Sequence, residues 1–471
     1  MTLLTDGSEK SGSALGEMGM WLESLSLLNF RCFKDLTVEF DKRLTVIVAE
    51  NGLGKTAILD AIAIGYGRYL TKLPNVKGRT TSETDVRLSK GEQKERVMAI
   101  HWEARTTENE LVEWSSTRRA PLTRITFEKL MAGQPSGRYQ AGSKVMDEHT
   151  RRLVEAVDAG DSVLIPVIAY YGTNRAIRED VKRRRNFKKQ FERFAALEGA
   201  LDPDSRFRAA FEWFNALEDE ERREREARRS FKYVQPELEA VRRAMIRMLP
   251  DGFLNPRTEI RPLRFVIDRT MPDGVITTFR ISQLSDGYRV VLGLVMDLAR
   301  RLAQANGAYA SKLKKRTSVL DLPAIALIDE VDLHLHPIWQ QTILSDLMRT
   351  FPGTQFIVTT HSPQVLSTVK KENIRVIARD QYGNVAAMKP LGRTYGRPSG
   401  DVMHSVMLVD PQPPIAEKAD LEVLTALVDQ GKHGSKKAKD LMGALLIALG
   451  EEHPQLQRLQ RSILRKRVLM S

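Results

Sequence analysis

Four separated groups of residues in this chain have types and spacing that could do chemistry. The first is Ala49-Glu50-Asn51-Gly52-Leu53-Gly54-Lys55-Thr56. Small residues there let the backbone curl around an anion, with amides turned inward and a following helix adding positive potential. Asn51, Gly52 and Gly54 shape the cradle. Lys55 reaches the β- and γ-phosphates, and the Thr56 hydroxyl is a Mg²⁺ ligand. The general pattern G-x-x-x-x-G-K-[ST] opens on glycine, and this chain has Ala49 there. That site is either ordinary backbone or slightly strained.

The second group closes the apolar run Ala324–Ile328 with Asp329-Glu330. A carboxylate at the strand end holds Mg²⁺ through water, and the next one polarises the water that attacks the γ-phosphate. The third is His361, at the end of Ile357-Val358-Thr359-Thr360. It follows Asp329 by about one helix plus one strand, as a parallel sheet requires. An imidazole there senses the γ-phosphate. The fourth is Leu284-Ser285-Asp286-Gly287-Tyr288-Arg289, opening a helix over 290–303. Ser285 is a candidate N-cap, and Asp286 suits the positive end of the helix dipole.

These groups need a scaffold. Leu44–Val48 reads as the buried strand before the phosphate loop, and Ala57–Ile62 as the helix after it. Trp21–Phe40 alternates apolar and polar residues, which predicts two antiparallel strands joined near Arg31-Cys32-Phe33-Lys34. Arg31 is either a contact on the adenine side or an exposed turn arginine. Val97–Glu103 and Leu111–Arg118 extend the antiparallel layer, and Leu164–Gly172 is another buried strand, followed by Thr173-Asn174-Arg175. From about 177 to 248 the chain is charge-dense and helix-prone, with the run Lys182–Arg185. This predicts a helical insertion projecting from the body, its Phe194, Phe207, Phe211, Trp213 and Phe214 serving as core or partner contacts. Strands return at 263–267 and 275–279. Pro411–Pro414 break the chain, and 415–471 carry helical periodicity. Leu421, Leu424, Leu427 and Val428 share one face there, and Leu441, Leu445, Leu446 and Leu449 another. The expected division is a leader (1–20), an N-terminal catalytic part (21–176), the insertion (177–260), a C-terminal catalytic part (261–410) and a helical tail (411–471).

Composition narrows the partners. The 471 residues carry a net charge of +13 and a pI of about 9.6. That balance favours nucleic acid or another polyanion, met directly or through a partner. The single cysteine, Cys32, excludes a disulfide framework and cysteine zinc sites, and suits a reducing cytosol. No apolar run approaches the ~20 residues of a membrane helix.

Leu-Ser-x-Gly-x-Arg at 284–289 resembles the signature of ABC-type ATPases. The resemblance implies an α/β, ABC-type P-loop NTPase fold with a mixed sheet, an antiparallel β layer, a helical insertion and a small C-terminal helical region. It implies ATP and Mg²⁺ as ligands. It also implies that Ser285 and Gly287 of one subunit complete the site of another, in a homodimer or higher homo-oligomer. Asp329–Pro337, with Asn51–Thr56 and Thr360-His361-Ser362-Pro363, is similar to the OLD, RecF and SMC-like ATPases. Thr394-Tyr395-Gly396-Arg397 and the helical C-terminus resemble the ATPase subunit of Septu-type and retron-associated anti-phage systems. That resemblance implies a separate HNH-type effector nuclease and, in a retron, a reverse transcriptase with its DNA. No toprim or HNH constellation is visible in the chain, and His334 and His336 read as loop residues near the dimer interface. The competing readings are a RecF-like repair ATPase that binds DNA itself, and an ATPase sensor caging a toprim-type toxin. A transporter subunit fits poorly with the arginine-rich insertion.

Overall fold

Alternating residues at 33–39 produce a strand with one buried face, and the uninterrupted apolar runs produce strands buried on both. The computed structural model describes residues 19–87, 96–120, 139, 142–175, 192–203, 207–313, 317–381, 383–410 and 412–470. The leader up to residue 18, the run Lys182–Arg185 and most of the loop 133–143 lie outside the described residues. The strands, in chain order, are β1 (Met20–Phe30), β2 (Phe33–Glu39), β3 (Leu44–Ala49), β4 (Arg96–Thr106), β5 (Leu111–Ala120), β6 (Val167–Tyr171), β7 (Phe253–Ile260), β8 (Leu263–Thr270), β9 (Ile276–Arg280), β10 (Ala324–Ile328), β11 (Thr354–Thr359), β12 (Ile374–Arg379) and β13 (Val385–Met388).

β2-β1-β4-β5 form an antiparallel sheet, and β7-β8-β9 a smaller one. The central sheet runs β13-β12-β3-β11-β10-β6, parallel except for β13 at its edge. Every residue of β3, β6, β10 and β11 is buried. Register decides where their loops emerge. Ile328 lies beside both Val358 and Tyr171, and Thr359 lies beside Ile47. The C-terminal ends of the four strands therefore share one edge, where open α/β sheets bind ligands.

The helix Lys55–Thr71 is held by both large sheets. Trp102 Nε1 donates to Ala61 O (3.0 Å) and Trp114 Nε1 to Gly65 O (3.1 Å), while the two indoles stack at 5.7 Å. Gly65 is required by this approach, because a Cβ there would sit 2.4 Å from the Trp102 ring. Gln355 on β11 stitches the sheets together. Its amide accepts from Leu22 N and donates to Leu22 O, both at 2.8 Å.

Helix Pro236–Met248 and the first half of helix Phe207–Ala227 pack into the body, while no residue from 222 to 235 is buried. Phe207, Phe211, Trp213 and Phe214 are buried in the same core as the central sheet. Helix Pro236–Met248 packs along helix Asp286–Lys312. Arg242 closes the pair with ion pairs to Glu218 (2.9 Å) and Glu221 (3.0 Å), both buried. The charge density of this stretch thus partly serves internal pairing.

Residues 408–471 form a second compact unit. Its helices Lys418–Asp429, Lys436–Leu449 and Pro454–Met470 enclose Leu421, Leu424, Val428, Ala438, Leu445, Leu456 and Leu459. Lys466 Nζ donates to Val428 O (2.6 Å), capping the first of these helices. Among the described residues no helix is long and apolar enough to cross a membrane.

Candidate active site

The phosphate loop begins where β3 ends. Ala49 is the last strand residue and pairs with Ile377, so the missing first glycine falls on ordinary extended backbone. The left-handed positions are Gly52 (φ 82°) and Gly54 (φ 89°). A Cβ on Gly54 would lie 2.5 Å from Cys32 Sγ and from Phe33 Cζ, so the turn after β1 abuts the loop and demands glycine. Asn51 and Gly52 are exposed at the loop tip. Lys55 opens the helix, and its Nζ donates back to Ala49 O (2.9 Å) and Glu50 O (3.4 Å). Burial lowers the Lys55 pKa, while Asp329, Glu330 and Asp332 pull it back up. Those three carboxylates therefore sit within electrostatic reach of the loop cation.

Asp329 follows β10 directly. Thr56 Oγ1 donates to its Oδ2 (2.8 Å), and Thr359 Oγ1 donates to its Oδ1 (2.6 Å). The same Thr359 hydroxyl accepts from Glu330 N (2.7 Å). Glu330 turns into the left-handed region (φ 47°), and among the described residues its carboxylate has no hydrogen bond or ion pair. Thr56 and Asp329 form an all-oxygen donor pair, which suits a hard cation such as Mg²⁺ bound together with nucleotide phosphates. When bound, that ion neutralises charge on the β- and γ-phosphates.

Comparison with known proteins gives the family setting of these residues. A model described as an AAA domain matches residues 24–244. Another, described as an AAA domain, putative AbiEii toxin, Type IV TA system, matches 167–367. The chain carries AAA ATPase domains. It is homologous to the Retron Ec83 probable ATPase of Escherichia coli, with 26% identity over 93% of this chain and 86% of that protein. The Retron Vc95 probable ATPase of Vibrio cholerae serotype O1 biovar El Tor is 25% identical over 89% of this chain and 86% of that protein. A shorter stretch is 34% identical to the Septu protein PtuA of Bacillus mycoides (strain KBAB4), covering 22% of this chain and 13% of that one.

The remaining candidates of this ATPase are placed as follows. His361 follows β11, half-buried between two anchored residues. Thr360 Oγ1 donates to Asp332 Oδ1, and Ser362 Oγ donates to Gln340 Oε1 (2.7 Å) while capping the turn Pro363–Leu366. Ser285 occupies the N-cap position of helix Asp286–Lys312, but its exposed hydroxyl makes no capping bond. Gly287 is buried, and a Cβ there would meet His334 O at 2.8 Å. The turn at 284–289 therefore docks on the segment that follows Glu330. Among the described residues no hydrogen bond joins Ser285 or Gly287 to the phosphate loop of the same chain. His336 instead caps helix Pro337–Thr350 through Nδ1.

Arg31 sits in the tight turn between β1 and β2 with φ 48°. Its guanidinium pairs with Asp60 (2.5 Å), on the helix after the phosphate loop, and with Asp85 (2.8 Å). Burial lowers the Arg31 pKa, but bonds to Asp60 and Asp85 outweigh it and leave the group above its ordinary value.

Two residues escaped sequence reasoning. Thr359 lies inside a strand that reads as plain β-propensity, so nothing marks its hydroxyl as a link between Asp329 and Glu330. Arg175, in the loop after β6, donates to the backbone carbonyls of Asp329 and Glu330. The only local signal was an arginine just past a buried strand end.

Proposed function

We propose that this ATPase clasps ATP between two copies of itself, and that binding and hydrolysis switch a separate effector nuclease in a bacterial anti-phage defence complex. One observation carries the reading. A hydrolytic half-site of Lys55, Thr56, Asp329 and Glu330 accompanies a signature turn whose exposed Ser285 hydroxyl makes no bond to its own helix. A second copy's nucleotide is a natural partner for that hydroxyl and for the amides of the helix start.

In this reading Glu330 takes a proton from water as the water oxygen attacks the γ-phosphorus. The bond from that phosphorus to the bridging oxygen breaks, and ADP leaves. Lys55 and His361 offset charge on the phosphoryl oxygens, and Asn51, Gly52 and Gly54 hold the nucleotide. The names of the retron and Septu relatives support the defence setting; the HNH-type nuclease and, for a retron, the reverse transcriptase with its DNA are proposed as partners on the sequence resemblance alone. A cytosolic location follows from the same setting.

The test is light scattering of the Glu330→Gln protein with ATP, ADP or no nucleotide. ATP alone should double the mass, and adding Ser285→Arg should abolish the doubling. An unchanged mass with ATP would sink the clasp. The net charge of +13 favours a second reading, a RecF-like repair ATPase that holds DNA directly. Salt-sensitive DNA binding by the isolated chain would support it.

A further inference from the structure

Arg175 lies just beyond β6 and is 1% exposed. Its Nη1 donates to Gly172 O (2.9 Å) and Asp329 O (2.5 Å), and its Nη2 donates to Glu330 O (2.5 Å). All three acceptors are neutral carbonyls. Among the described residues no carboxylate lies within ion-pair distance of this guanidinium, and its Nε has no hydrogen-bond partner. Its surroundings are apolar: Met248, Val291, Leu294, Val331, Ile343 and Leu347 line the small gap beside it. Burial pulls its pKa down to about 10, with Asp329, Asp332 and Glu330 acting the other way, so it stays charged at neutral pH.

A buried cation without a paired anion is a costly arrangement, and an apolar side chain would fill this volume more cheaply. What the arginine gains is a grip on two particular peptide groups. Glu330 is a non-glycine residue in the left-handed region, a conformation that persists only when its surroundings over-determine it. Thr359 holds its N–H from one side, and Arg175 holds its carbonyl from the other. The third bond, to Gly172, ties the fork to a fixed point. Gly172 N donates to Pro203 O (2.8 Å), and a Cβ on Gly172 would lie 2.7 Å from Pro203 Cβ.

We propose that Arg175 is a positioning residue for hydrolysis, its fork fixing the backbone of Asp329 and Glu330 so that the Glu330 carboxylate meets the attacking water. This rests on Glu330 being the base. Arginine is needed because one planar group must reach separate carbonyls in fixed directions, which an ammonium cannot do.

The experiment is ATP turnover by the full chain with saturating Mg²⁺. Arg175→Met keeps the volume and removes the fork. It should lower kcat by ~100-fold, the scale of a misplacement of about 1 Å, while KM stays within about twofold. Arg175→Lys should recover part of the loss, and it carries the same comparison should the Met variant fail to fold. The deciding arm repeats the change in Glu330→Gln. A residue acting only through Glu330 has nothing further to lose there, so the single and double variants should turn over alike. An equal fractional loss in both backgrounds, or a raised KM with kcat unchanged, overturns the proposal. A wild-type rate for Glu330→Gln alone instead overturns the role of Glu330.

Discussion

Thr56 and Asp329, 273 residues apart, are joined by a hydrogen bond of 2.8 Å between hydroxyl and carboxylate. One lies in the first turn of the helix after the phosphate loop and the other directly follows β10. The parallel register of β3, β11 and β10 brings them together, and under the proposed function both would hold the cation.

Replacing Thr359 with Val tests how that carboxylate is held. Asp329 loses a 2.6 Å donor and Glu330 N loses its acceptor, with little change of shape. Apparent Mg²⁺ affinity in turnover should fall ~10- to 100-fold, as for residues that orient metal ligands. A Mg²⁺ titration that matches wild type would refute the link.

Lys55→Ala removes the one cation of the phosphate loop. Affinity for a fluorescent ATP analogue should drop by at least ~100-fold, typical for deleting one half of a close charge contact. Fluorescence anisotropy measures this, and retained binding would mean that Lys55 points elsewhere.

Glu330→Gln keeps shape and removes the carboxylate proposed as the base. Turnover should fall ~10²- to 10⁴-fold with nucleotide affinity preserved. Phosphate release under single-turnover conditions reads the chemical step directly, and comparable rates would take Glu330 out of that role.

Gly65→Ala separates packing from helix propensity. Propensity alone predicts a gain of up to ~1 kcal/mol. The new Cβ, however, would sit 2.4 Å from the Trp102 ring, and overpacking of this kind costs about 1–3 kcal/mol. Net destabilisation should appear as a lower urea midpoint. A raised midpoint would show that the indole can move aside.

Asp297 supplies a pH test. Burial pushes its pKa up, but Arg301 and Arg300 hold it at about 2, below its ordinary 3.8. A depressed pKa contributes stability that is present above the unfolded-state value and is lost as pH falls through the folded value. The contribution is about 2 kcal/mol at neutral pH and fades between about pH 4 and pH 2. Asp297→Asn should therefore be much less stable than wild type at pH 7, with the gap narrowing toward pH 2. A gap that does not change with pH would mean the pair is not what shifts Asp297.

Much of this enzyme was legible before any coordinates, because phosphate chemistry restricts local sequence. Gly52, Gly54, Lys55 and Thr56 must be adjacent to wrap an anion, and Asp329-Glu330 must close an apolar strand. Local composition thus sufficed to name the loop, the acidic strand end and the buried parallel strands. Tertiary structure alone decided the rest. Arg175 meets Glu330 only because β6 lies beside β10, Thr359 becomes a link only through the register of β11, and Gly65 answers to a tryptophan on the next strand, β4. The helices at 207–248 look like a charged arm by composition, yet Glu218 and Glu221 are buried and pair with Arg242. These are contacts between residues far apart in the chain, and no local pattern constrains them.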